Sequence, residues 1–485
     1  MFVALLMAGC GQSEESVQNE AKDDPSVPLL ISCAACGEKV SKSGEACEKC
    51  GHPTSVNVFK AKTLLALAQE EKSSPPSSLG QFPGLRKLSR ENPFEHHLRK
   101  TLKKPFGQIS PEELLSVEKF NASYAISDLT PIVTLKNLKV LNLGHLALPF
   151  QLADIAPLAE LTKLEHLKFN GSQKFSDLSP LSGLTSLKHL SLFIQSGAPQ
   201  LDLAPLGNLK ALTDLSLGVS GTKPVNVNAL AKLANLRRIN LFANANDISP
   251  FSDLKYLEEL KTMGPAVPDL APLTNLTSLR KIDLSCASPD LSALAKLVNL
   301  ESLRISQSWE ARDDKTINLT PLANMTKLES LVLLSGQVSD VTPLKNLVNL
   351  KHLSIPSGGK VTDIQALSNF ANIEVLSLGG NTIASLSPLE NLINLQELNL
   401  RNNALRDLSP LSKLVNLKSL NLSQTSLVRG RPINLITDVS PLKGLAKLEK
   451  LSLWGHKIPD DQQEMLIKAL PNCSIQWHSR TFRAQ

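Results

Sequence analysis

Four cysteines near the start of the chain are spaced for chemistry. Cys33-x-x-Cys36 is followed, ten residues on, by Cys47-x-x-Cys50. Two such pairs can place four thiolates tetrahedrally around one Zn²⁺. Gly37 and Gly51 each follow the second cysteine of a pair, where a tight knuckle needs the positive φ that glycine adopts without strain. Cysteine at all four positions leaves no place for a water ligand, so the metal is expected to be structural and not catalytic. The alternative is a pair of disulfides in an exported chain; the knuckle glycines favour metal. His52 lies beside an already complete site and is read as a bystander. Elsewhere the chain lacks G-x-S-x-G, H-E-x-x-H, G-x-x-x-x-G-K and a dinucleotide fingerprint, so no catalytic constellation is expected. His166 and His189 occupy equivalent outward positions in successive repeats. Adjacent imidazoles there could bind metal or sense pH, or be ordinary surface residues. Cys286 and Cys473 are expected to be buried, inert thiols.

The elements that must position these groups come from a repeat. A motif close to D-L-S-P-L-x-x-L-x-x-L-x-x-L-x-L recurs fourteen times between Ala125 and Asp460. Its period of about 22 residues signals a solenoid. "SDVTPLKNLVNLKHLSI" from Ser339 and "RDLSPLSKLVNLKSLNL" from Arg406 show it plainly. In "LQELNL" Leu395, Leu398 and Leu400 are expected to turn inward, and Glu397 and Asn399 outward, because alternate strand side chains share a face. Pro388 suits entry into a short 3₁₀ or helical turn on the convex side. Asn381 and Asn403 follow their strands, where an amide can satisfy backbone groups stranded by the turn. A solenoid leaves one long shallow surface free, suited to another macromolecule and lacking the deep pocket that most chemistry needs.

The solenoid ends need covers, since an open end would leave leucines and a sheet edge in water. Before the repeats, Phe94, Leu98 and Leu102 fall at helical spacing, and "SPEELLSVEKF" opens with a capping serine and a proline at the first helical position. That lead-in, followed by "ISDLTPIVTLKNLKVLNL", resembles bacterial leucine-rich repeat proteins of the internalin-like, 22-residue type. The likeness covers roughly residues 92 to 485, and "IPDDQQEMLIKALPNCSIQW" resembles the closing helix and last strand of such arrays. The resemblance implies an α/β solenoid: a leucine-rich arc with a parallel concave sheet and short 3₁₀ or helical convex segments, capped at both ends. The cysteine pairs resemble a zinc ribbon preceding it.

At its start, "MFVALLMAGC" resembles a bacterial lipoprotein signal with its lipobox at Met7-Ala8-Gly9-Cys10. That resemblance implies removal of residues 1–9, lipid on Cys10 and a place in the cell envelope outside the cytoplasmic membrane. The polar, acidic residues that follow make a flexible tether over 10–28. The full division is then the zinc ribbon 29–53, a linker 54–91 marked by "EEKSSPPSSLGQFPG", a helical cap 92–124, about fourteen repeats over 125–460 and a C-terminal cap 461–485. No run of 18 apolar residues is present, so the mature chain is not expected to span a bilayer. The net charge of +6 is spread over 51 basic and 45 acidic residues in no long run, which argues neither for nucleic acid nor strongly for a membrane surface, so nucleic acid is not the expected partner.

Exposed aromatic and Met side chains mark interface anchors. The residue after each L-x-L gives Phe193, Phe242, Met263, Leu334 and Trp454 as partner-binding candidates, with Trp309 in a long insertion. Phe193, Phe242 and Met263 are expected to form a patch. The leading expectation is a non-enzymatic, surface-tethered scaffold that grips a protein on its concave face. The second is an intracellular adaptor whose ribbon docks protein or nucleic acid, cytoplasmic if the lipobox is spurious.

Overall fold

The protein is seen here in a computed structural model. It describes residues 30–32, 39–41, 93–122, 126, 128–143, 152, 154–169, 175–195, 201–220, 225–244, 247–264, 266–287, 290–306, 316–334, 338–356, 360–424, 435–477 and 481–482. The chain divides into two units, Met1–Ser78 and Leu79–Gln485. The first unit contains an antiparallel pair, β1 (Leu30–Ser32) and β2 (Lys39–Ser41), with Leu30 opposite Ser41. Cys10, Cys33, Cys36, Cys47 and Cys50 lie outside the described residues, as do the tether and the linker.

The second unit is the solenoid. Among the described residues, sixteen parallel strands run in chain order from β3 (Lys119–Ala122) to β18 (Ser474–Gln476), and β19 (Thr481–Phe482) adds one antiparallel strand. Among the described residues β3 pairs only with β4 (Val140–Leu143) and β19 only with β18, so the sheet is open. Each of the fourteen coils between the caps consists of a 3₁₀ turn and one strand. The register places leucine beside leucine along the stack, for example Leu376, Leu398 and Leu420. Leu395, Leu398 and Leu400 are buried as the alternation requires, Glu397 is exposed and Asn399 is half-buried. Each inward leucine contributes on the order of 1.5–3 kcal/mol. A single coil cannot offset its ordering entropy with so few, but the stack can.

Polar side chains tie each coil to itself and to its neighbour. The Asp two residues before each turn accepts a backbone N–H: Ser409 N donates to Asp407 Oδ1 and Thr342 N to Asp340 Oδ1, both at 2.8 Å. Asn226, Asn318 and Ser385 take the same place in their coils. The Asn before the last leucine of L-x-N-L reaches back one coil. Asn394 Nδ2 donates to Ala371 O and Asn416 Nδ2 to Ile393 O, each at 2.8 Å. Asn381 and Asn403 are buried and donate to stranded carbonyls as expected, Asn403 to Leu378 O and Leu400 O at 3.0 Å.

The N-terminal cover is α1 (Pro93–Leu102), whose Phe94 packs against Phe120 of β3 with ring centroids 5.0 Å apart. The cap is not helical throughout, as the sequence reading had it. Ser110 caps α2 (Pro111–Leu115) with Glu113 closing a reciprocal capping box, but the chain then leaves the helix and enters β3. Residues 119–122 alternate exposed and buried, and their period of two matches the neighbouring strand better than a helix could. At the far end α3 (Asp460–Ala469) buries Leu466, and β18 buries Ile475 next to a buried Cys473.

Candidate partner-binding face

Side chains at alternate strand positions stand on the solvent face of the sheet, the side called concave in such solenoids. Three rows cross it. The first runs through His166 of β5 (His166–Phe169), His189 of β6 (His189–Gln195), Asp214 of β7 (Asp214–Ser220), Arg238 of β8 (Arg238–Phe242), Glu259 of β9 (Glu259–Thr262) and Lys281 of β10 (Lys281–Ser285). His166 and His189 stack with centroids 4.2 Å apart and planes within 8°. His189 Nδ1 lies 2.9 Å from Asp214 Oδ2, Arg238 pairs with the same carboxylate, and Lys281 lies 2.9 Å from Glu259. Burial lowers the His166 pKa first, and the neighbouring His189 lowers it further.

Two residues along, the second row carries Lys168, Ser191, Ser216, Asn240, Lys261 and Asp283, then Arg304 of β11 (Ser302–Ser306). Asp283 lies between Lys261, at 3.4 Å, and Arg304, at 3.6 Å. These two rows line a shallow groove of about 450 Å³ that includes His166, His189, Asp214, Arg238 and Lys261. Further along the array the second row loses its charges and becomes Val332, Ser354, Ser377, Asn399, Asn421 and Ser452.

The third row is apolar. Phe193 pairs in register with Gly218, and Gly218 with Phe242. The Phe193 ring lies over Gly218: a Cβ built there would come within 2.1 Å of it. Glycine at 218 is therefore what lets the ring lie down across β7. Lys261 Nζ stands 5.9 Å from the Phe242 ring centroid, a cation–π contact. Met263 follows one strand on, its N–H donating to Leu241 O at 2.7 Å. Phe193 is 39% exposed and Met263 54%; Phe242 is half-buried.

The structure thus brings together Phe193, Phe242 and Met263 in one row, and stacks His166 on His189. Leu334 and Trp454 are also exposed, but lie on later coils away from that row. Trp309 and most of the long insertions fall outside the described residues. Cys286 and Cys473 are buried, and burial raises the Cys473 thiol to about 11. Gly218 and the charged rows escaped the sequence reading because both depend on which residues face each other across coils. The spacing of L-x-L could have aligned them. Among the described residues no three His, Cys, Asp or Glu side chains converge to hold a metal ion, and no helix is long and apolar enough to cross a membrane.

A family profile described as "Leucine Rich repeats (2 copies)" matches residues 371–413 and 393–429. No curated protein matches the chain. Among solved structures, an internalin of Listeria monocytogenes is 27% identical, with a TM-score of 0.54, over 79% of this chain and 100% of its own. A leucine-rich repeat protein of Leptospira interrogans is 20% identical, with a TM-score of 0.61, over 83% of this chain and 99% of its own. The plant peptide hormone receptor RGFR1, solved in complex with RGF2, is 21% identical, with a TM-score of 0.55, over 71% of this chain and 55% of its own. Fourteen coils with one buried leucine lattice, read beside these likenesses, make this a leucine-rich repeat protein with internalin-like structural neighbours.

Proposed function

We propose that the protein is a non-enzymatic scaffold that holds a protein partner on the solvent face of its sheet, anchored on Phe193, Phe242 and Met263. The observation that carries this reading is the apolar row itself. It lies on the sheet's solvent face with Phe193 and Met263 exposed and Phe242 half-buried, and is bordered by the Lys261–Asp283 and Arg304–Asp283 pairs. Large side chains held in place cost little entropy on binding, which is what interface anchors require. The charged rows would then set orientation and approach more than affinity. Leu334, Trp454 and Trp309 are further contacts in this reading.

The same reading places the solenoid at the cell envelope, tethered through lipid on Cys10, with a structural Zn²⁺ on Cys33, Cys36, Cys47 and Cys50. Support for the metal comes from the donor set, four cysteines in two C-x-x-C pairs. A partner captured from the native envelope tests the binding face. Phe193→Ala, Phe242→Ala and Met263→Ala should each weaken capture by about 1 kcal/mol or more. Gly218→Val should do the same by lifting the Phe193 ring, while Lys345→Ala on the opposite side should leave capture unchanged. Equal capture by the triple variant and the parent, both folded, would overturn the proposed face.

A further inference from the structure

One surface position changes character halfway along the array. It is the residue after the first leucine of each L-x-x-L, just ahead of the strand. In the earlier coils it is mostly Lys or Thr, as at Lys136, Thr162, Thr185, Lys210, Lys255 and Thr277. In six consecutive later coils five are apolar, Val298, Val348, Ala371, Ile393 and Val415, with Thr326 the exception, and all six are exposed. The four large ones are 43% to 54% exposed. Their backbones are fixed, because the carbonyls of Thr326, Val348, Ala371 and Ile393 each accept an Asn side chain of the next coil at 2.8–3.1 Å. The result is a rigid apolar ridge, away from the sheet's solvent face.

Three residues further along each coil a charged row flanks this ridge: Glu301, Glu329, Lys351, Glu374, Gln396 and Lys418. Neighbours within the row touch, with Lys351 Nζ 2.9 Å from Glu329 and Lys418 Nζ donating to Gln396 at 3.0 Å. The Lys351 and Glu329 side chains stay about half exposed. The order of charges has a symmetry. Laid against its own reverse, Glu301 meets Lys418, Glu329 meets Gln396 and Lys351 meets Glu374, so every pairing is complementary. The other flank reads Lys296, four asparagines and Lys413. Amides complement one another; at each end Lys296 meets Lys413, whose charge is already paired with Glu390 at 2.5 Å.

We propose that a second copy of this chain docks on the ridge, the two arrays antiparallel about a two-fold axis between the coils of Val348 and Ala371. A two-fold interface must present a surface that matches its own reverse, and this stretch does so in charge and in shape: Val298 faces Val415, Thr326 faces Ile393 and Val348 faces Ala371. Six coils at about 4.8 Å spacing span roughly 24 Å. A strip of that length covers on the order of 500 Å² per copy, less than the roughly 800 Å² of a standard interface. The dimer is therefore weak and reversible, and it leaves Phe193, Phe242 and Met263 free.

Sedimentation velocity on the full chain, from about 1 to 200 μM, tests this in the range where such an interface dissociates. The parent should shift from monomer to dimer with concentration. Ile393→Glu should stay monomeric with an unchanged melting curve. Lys418→Glu and Glu301→Lys should each weaken association about tenfold or more, and the two together should restore it, since the facing charges are then exchanged. A parent that stays monomeric throughout overturns the proposal, as does a dimer indifferent to Ile393→Glu. So does a double variant that fails to recover, because the antiparallel register would be wrong.

Discussion

At the scale of single residues, the carboxylates that open most of the 3₁₀ turns carry the clearest chemistry in the solenoid. Asp340 accepts the Thr342 N–H, and hydrogen bonds from the Thr342 side chain and backbone hold its pKa below the ordinary 3.8. Asp407 and Asp438 are lowered in the same way by Ser409 and Ser440. Asp340→Ala should cost about 0.5–2 kcal/mol, as loss of a helix cap does. A similar effect from Asn at 340 would show that the acceptor oxygen is not what matters. Their depressed values also set a pH dependence. A carboxylate lowered in the fold adds stability that is complete above its unfolded value and is lost as pH falls through the folded one. His97, His166, His352 and His456 are likewise lowered from 6.5, each chiefly by burial. The folded state resists their protonation, so it loses stability on acidification too. The melting midpoint should fall in two stages, first below about pH 6.5 and again below about pH 4. A midpoint flat from pH 7 to pH 5 would contradict the histidine assignment.

At the scale of the element, the inward leucine lattice was readable in the sequence because a fixed period repeats one local rule fourteen times. Leu398→Asp should cost several kcal/mol by burying an unpaired charge, whereas Glu397→Ala, one position away and outward, should cost little. Equal shifts in the urea midpoint would mean the strand register is wrong. The asparagines at 381 and 403 were legible for the same reason, since each follows its strand at a constant offset. What was not legible depends on neighbours from other coils. Phe193 pointed to an anchor, but its bed on Gly218 appears only once β6 and β7 are in register. The strand at Lys119–Ala122 was hidden behind a strong helix-start signal, and the alternation of Phe120 and Ala122 was too short to outweigh it. On the first row the Lys281–Glu259 pair is exposed at both ends, so it is worth at most about 1 kcal/mol. In the proposed scaffold the first-row charges serve to orient a partner more than to hold the coils together.

At the scale of the whole molecule, the chain joins two units whose stabilities should be separable. In our reading the first depends on zinc and the second on its leucine stack. The purified protein should then carry one zinc per chain, and Cys47→Ser should lose it while the solenoid melts unchanged. Intact mass showing two disulfides and no zinc would remove the metal from the account.

The asparagine and aspartate bonds described above reach no further than the adjacent coil. A protein wired this way can change its length by whole turns of about 22 residues, since excising one strands no distant partner and leaves the two new neighbours with matching surfaces. Duplication or loss of a coil in the gene would therefore act as a ruler. A turn removed between Val298 and Val415 would throw the charge palindrome out of phase with itself, yet leave the Phe193 row untouched. Self-association and partner binding could then drift independently in descendants of the same gene.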